Sequence, residues 1–141
     1  SRIYLWRAGQ LEAVTVDHVY AHTLADKVAR GTITAGEAAS HPDRDTLISY
    51  LGRDPLPVID CSRTPMPLRL DDLVLVCTDG VYRALGEAGL QALAASEPDP
   101  QALCERAIDA VVERQRRHQD NCTMLAVSSR AVSERPAHAT R

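Results

Sequence analysis

Two carboxylates stand where a strand pattern gives way to a turn: Asp79 in Val76-Cys77-Thr78-Asp79-Gly80, and Asp120 in Gln119-Asp120-Asn121-Cys122-Thr123. If the two strand patterns are neighbours, these side chains converge, and like charges about 4 Å apart repel by roughly 4 kcal/mol at an effective dielectric of 20. A bound cation relieves that repulsion. Oxygen ligands with water completing the shell suit Mg²⁺ or Mn²⁺ and argue against zinc, since no histidine or cysteine stands at ligand spacing nearby. Gly80 fits a tight departure of the backbone just after the ligand. The plainer reading is that Asp-Gly and Asp-Asn are ordinary turn signals, and on spacing alone that reading stands first.

The elements that must hold these residues can be read from the pattern. Leu73–Cys77 is apolar throughout, which predicts a central strand covered on both faces. Residues 122 to 127 form a final strand. Residues 2 to 6 and 11 to 16 alternate around a glycine-bearing turn at Arg7-Ala8-Gly9-Gln10, which predicts a β-hairpin. Residues 21 to 30 are helical in pattern, with Gly31 as the C-terminal stop. Thr34-Ala35-Gly36-Glu37 has the form of a capping box, and Pro42 closes that segment. Between Pro55 and Pro67, Val58-Ile59-Asp60-Cys61 is the one candidate strand, expected at an edge. Asp99 and Pro100 cap a long helix with a stripe of Leu103, Cys104, Ala107, Ile108, Val111 and Val112, whose last turn carries Arg114, Arg116, Arg117 and His118. Strands in hairpin style with helices in separate runs predict a layered α+β fold with mixed or antiparallel sheets. The polar segment after Ser128 is expected to be a flexible tail over residues 130 to 141.

Composition narrows the classes. A chain of 141 residues supports one domain with a core of its own. Net charge is −3 with both signs dispersed, which provides no basic field for nucleic acid and no polybasic membrane anchor. Cys61, Cys77, Cys104 and Cys122 show no CxxC spacing, and three lie in apolar stretches, which suits reduced thiols and a cytoplasmic setting. The strand pattern starts directly at Ser1 and Arg2, so a piece of a longer chain is expected.

The whole set of motifs, in order, resembles the metal-dependent protein serine/threonine phosphatases of the protein phosphatase 2C (PPM) family, bacterial type. Ser1-Arg2-Ile3-Tyr4-Leu5 is similar to the end of that family's G-D-S-R-x-Y strand, and residues 11 to 18 to its L-x-x-L-T-x-D-H hairpin. Residues 24 to 52, with Gly31-Thr32-Ile33-Thr34, Glu37-Ala38, His41-Pro42 and Arg44, resemble the bacterial flap, taken here as about residues 20 to 60. Residues 74 to 82 resemble L-L-C-T-D-G-L, and residues 120 to 127 resemble D-N-x-T-x-x-x-V. The resemblance covers residues 1 to 129.

It implies part of an αββα sandwich, two mixed or antiparallel sheets flanked by helices, with a binuclear Mn²⁺ or Mg²⁺ site at one end. It implies that Asp79 and Asp120 ligate one metal, and that Asp79 serves a possible third ion. In the family a water activated by the metals attacks the phosphorus of phosphoserine or phosphothreonine, with no catalytic side chain forming a covalent intermediate. Phosphorylated proteins are then the substrates and a cognate serine/threonine kinase a candidate partner, with neither nucleic acid nor membrane involved. The family's D-G-x-G-G aspartate, a further acidic ligand and a phosphate-holding arginine have no counterpart here, so activity is expected to require a missing N-terminal half. The alternative is a regulatory or pseudophosphatase module that binds protein partners without turnover. His18, His41, Arg44, Trp6 and the basic residues 114 to 117 have simpler structural readings, as packing, capping or solvated charge.

Overall fold

The computed structural model describes residues 1–114 and 119–129; the sequence-predicted tail at 130 to 141, and Arg116, Arg117 and His118 at the end of the long helix, lie outside the described residues. The chain forms two compact units, one made of Ser1–Thr15 with the described residues from Pro65 on, the other of Val16–Thr64.

The first unit is built on a four-stranded antiparallel sheet. Strands β1 (Arg2–Arg7) and β2 (Gln10–Ala13) form the predicted hairpin, with Ala8 and Gly9 both at positive φ in its two-residue turn. Strands β3 (Leu73–Cys77) and β4 (Met124–Ser128) complete the order β2-β1-β3-β4. β3 is therefore interior, as its unbroken apolar run predicts. Helices α3 (Asp79–Ser96) and α4 (Pro100–Glu113) pack on one face of the sheet. Tyr4, Leu75, Cys77, Val81, Leu90, Leu103, Ala107 and Val111 are fully or almost fully buried there. Each large apolar side chain removed from water in this way contributes about 1.5–3 kcal/mol. Burial also pushes the Cys77 thiol up, and all four cysteines are free.

Three sequence expectations are corrected. β3 is not covered equally on both faces: its burial alternates, with Val74 and Val76 only half-buried on the face opposite the helices. The α4 stripe is narrower than its apolar residues suggest, because Val112 is 62% exposed. Residues 58 to 61 form no strand; Pro55, Pro57, Pro65 and Pro67 remove amide donors on both sides, and no described strand offers them a ladder. An element unforeseen in the sequence is α3, whose Asp79-Gly80 start reads as a turn and whose periodicity is broken at Gly86 (φ 70°), where the axis kinks.

The second unit carries α1 (Tyr20–Ala29) and α2 (Ala35–Ala39). α1 ends in a Schellman arrangement: Gly31 N–H donates to Val28 O and Thr32 N–H to Lys27 O, with Gly31 at φ 71°. The capping box at α2 is complete, since Thr34 Oγ1 accepts from Glu37 N–H while Glu37 Oε2 accepts from Thr34 N–H.

At the end of the sheet away from Asp79, a buried carboxylate ties the strands together. Asp72 is 2% exposed and accepts from Arg7 Nε at 3.0 and 3.1 Å through its two oxygens, and from Arg69 N–H at 2.7 Å. Its carbonyl accepts from Ser129 N–H, so one residue joins β1, β3 and the exit of β4. The Arg7 guanidinium, against the opposing cost of burial, lowers the Asp72 carboxyl to about 2. A depressed folded-state pKa contributes stability that is fully present above the ordinary value of 3.8 and is lost as pH falls toward about 2. Asp72→Ala is expected to lower the melting temperature by roughly 10 °C at neutral pH. It should also flatten the loss of stability between pH 4 and 2 followed by circular dichroism. An unchanged acid limb in the variant would show that the pair adds nothing.

Candidate metal centre

The register of β3 and β4 decides what meets at the other end of the sheet. Cys77 lies opposite Met124, so the residues that follow Cys77 and those that precede Met124 emerge side by side. Thr78 locks the junction. Its N–H donates to Thr123 O at 3.0 Å, and its hydroxyl accepts from Thr123 N–H at 3.0 Å while donating to Asn121 O at 3.3 Å. Because that hydroxyl is engaged across the strands, Thr78 caps α3 without a side-chain bond to the helix. One residue later, an ideal Cβ on Gly80 would lie 2.3 Å from Asn121 O and 3.0 Å from Asp120 O. No side chain fits between these backbones, which is the physical requirement behind the glycine.

Asp79 and Asp120 therefore sit on two turns in direct backbone contact. Asp79 is the first residue of α3, where the free amides of the helix start favour a carboxylate. Its Oδ1 accepts from Gly80 N–H at 3.1 Å, and its Oδ2 is 3.9 Å from Arg83 Nε. Asp120 is exposed, and its Oδ1 accepts from Asn121 N–H at 2.8 Å. Each carboxylate thus spends one oxygen on its own turn. The donor set is hard oxygen, with the second oxygen of Asp120 accepting no hydrogen bond among the described residues. No group of three or more His, Cys, Asp or Glu is arranged to hold a metal among the described residues, so these two carboxylates fit a divalent ion only as a partial ligand set.

The remaining residues singled out in the sequence fall elsewhere. His41 packs its ring 5.3 Å from that of Tyr20 and accepts from Asp43 N–H, and Arg44 is exposed; both belong to the unit Val16–Thr64. His18 in the same unit lines a cleft of about 520 Å³ with Asp17, His22, Asp26 and Asp60. Trp6 is half-buried against the core. Arg114 donates to Ala84 O, two residues before the kink at Gly86. Two residues at the rim escape sequence reasoning: Thr78, and Gln119, whose amide reaches the backbone of both turns. A hydroxyl or amide whose partners are distant backbone atoms leaves no periodic signal.

Comparison with known proteins adds an independent line. Residues 6–130 match the family model described as Stage II sporulation protein E (SpoIIE). The serine/threonine protein phosphatase PstP of Mycobacterium tuberculosis is 38% identical over 82 residues, covering 57% of this chain and 15% of that protein. The serine/threonine phosphatase stp of Listeria monocytogenes is 28% identical over 129 residues, covering 90% of this chain and 48% of that protein. Among solved structures, the PPM Ser-Thr phosphatase MsPP from Mycobacterium smegmatis in complex with cacodylate superposes with a TM-score of 0.63 at 30% identity, covering 91% of this chain and 52% of that one. The chain spans about half the length of the Listeria relative and of the solved phosphatase, and less of PstP.

The contact at Gly80 yields a direct test. Gly80→Ala is expected to destabilise the protein by roughly 1–3 kcal/mol, because backbone rather than a flexible side chain must give way. Hydrogen exchange should accelerate at the Thr78 and Thr123 amides before the centre of β3. Equal protection in the variant would mean that the two turns are not held by this contact.

Proposed function

Because the chain belongs to the SpoIIE family of PPM-type, protein phosphatase 2C-like enzymes, we propose that it forms one half of a metal-dependent phosphatase site that hydrolyses phosphoserine and phosphothreonine in proteins. The observation that carries this reading is the meeting of Asp79 and Asp120 on two turns whose backbones touch at Gly80 and Asn121. In this reading the two carboxylates hold Mn²⁺ or Mg²⁺. The bound metal supplies an activated water and neutralises charge on the phosphoryl group.

What this chain's own residues contribute is rigidity and charge. β3 is an interior strand whose core-facing side chains are buried, so the backbone entering Asp79 has little freedom. The Thr78 hydroxyl fixes the entry of β4 behind Asp120. Arg83, beside Asp79, competes for its second oxygen when no cation is bound. In this reading residues of about 20 to 60, within the unit Val16–Thr64, serve as the flap, and phosphorylated proteins and a cognate kinase are the proposed partners of the enzyme.

The chain spans about half the length of the Listeria phosphatase it matches, and this reading carries a requirement. A binuclear site of the kind the resemblance implies uses acidic ligands beyond Asp79 and Asp120, and in this reading a missing N-terminal half supplies them. The test is hydrolysis of p-nitrophenyl phosphate by the full-length protein with and without Mn²⁺. Activity is expected to depend on the metal and to fall at least about 100-fold in Asp79→Asn and in Asp120→Asn. Full activity in both variants would remove these residues from the site.

A further inference from the structure

We infer that Gln119 is a positioning residue that holds the two carboxylate-bearing turns in register; this rests on the metal reading of Asp79 and Asp120. Gln119 Nε2 donates to Gly80 O at 3.1 Å and to Asp120 O at 2.9 Å. Both partners are carbonyl oxygens that can only accept, so the amide nitrogen, with its two protons, must be the atom that faces them. One side chain thereby binds the residue that follows Asp79 and the backbone of Asp120 itself.

The clamp works where the strand ladder no longer can. Regular pairing of β3 with β4 ends at Cys77 and Met124, and the Thr78–Thr123 bonds extend it by one step. Asp120 lies three residues beyond Thr123 toward the N-terminal side and is exposed, so ladder bonds do not reach it. Gly80 removes the side chain that would part the backbones, and Gln119 adds the bonds that keep them together. Contacts outside the ligand set that orient metal ligands commonly alter metal affinity by about 10–100-fold.

The experiment compares Mn²⁺ binding by isothermal calorimetry in full-length wild type, Gln119→Met, Gln119→Ala, Asp79→Asn and Asp120→Asn, with melting of each protein in chelator. Gln119→Met keeps the length of the side chain and loses both donors. The expected result is about 10-fold weaker Mn²⁺ binding in both Gln119 variants, with the metal-free melting temperature within about 2 °C of wild type. Wild-type affinity in Gln119→Met overturns the clamp. So does a fall in metal-free melting temperature that accompanies the weaker binding, since that marks a purely structural role. Unchanged Mn²⁺ binding in both aspartate variants instead overturns the metal reading on which the clamp rests.

Discussion

The backbone of Gly80 approaches the carbonyls of Asp120 and Asn121 more closely than any side chain would permit, and the geometry of the rim depends on that approach. Without it, β3 and β4 could still pair along Leu73–Cys77 and Met124–Ser128, but the turns beyond them would splay. The helix that starts at Asp79 turns the chain away immediately after the contact, so the charged residue is left at the mouth while Val81, Ala84 and Leu85 go into the core. A carboxylate at the end of an apolar strand is thus explained by a division of labour within a few residues. The strand and helix bury their apolar faces, and at the junction between them a charge meets both solvent and a fixed backbone.

The opposite end of the same strand is fastened by a different device. Asp72 enters β3 as a buried carboxylate neutralised by Arg7 and by backbone donors, and its own oxygens are fully occupied by these partners. Asp79 and Asp120 each place one oxygen on their own turn, and the second oxygen of Asp79 faces the exposed Arg83. Three aspartates flanking the same pair of strands therefore differ in what their surroundings ask of them. Buried and paired, a carboxylate locks structure; at an open rim with unspent lone pairs, it is available to a cation. Composition cannot separate these cases, because the Asp71-Asp72 pair reads as an ordinary turn before β3.

Much of the frame was legible because local chemistry and tertiary structure agree. The glycine-bearing hairpin, the capping box at Thr34 and Glu37, the Gly31 stop and the Asp99-Pro100 helix start are set by neighbours within four residues, where propensity acts directly. The interior position of β3 followed from its unbroken apolar run. The failures share a cause. α3 hides behind an Asp-Gly pair and a glycine kink, and its apolar residues Val81, Ala84, Leu85, Leu90 and Ala94 are buried in the core it shares with the sheet and α4. Residues 58 to 61 have the β-branched content of a strand but no partner, and a strand cannot exist without one. At the rim, the convergence of Asp79 and Asp120 was expected if their strands were neighbours, whereas Thr78 and Gln119 bond to backbone atoms about forty residues away, which only the folded register reveals.

The sheet's second face ties the rim to the rest of the proposed enzyme. On that face Ile3, Val76 and Leu125 lie side by side in register, as do Leu5, Val74 and Val127, forming two apolar rows across β1, β3 and β4. Leu5 on this face is 4% exposed, whereas Leu125 and Val127 are 53% and 48% exposed and Val74 and Val76 half-buried, so the open part of the face lies toward β4. The Listeria phosphatase and the solved Mycobacterium smegmatis phosphatase are about twice as long as this chain, which matches each along most of its own length. Strands that carry apolar residues on both faces are stable only when both are covered, so a further apolar surface against the Leu125 and Val127 side is what this sheet's composition asks for.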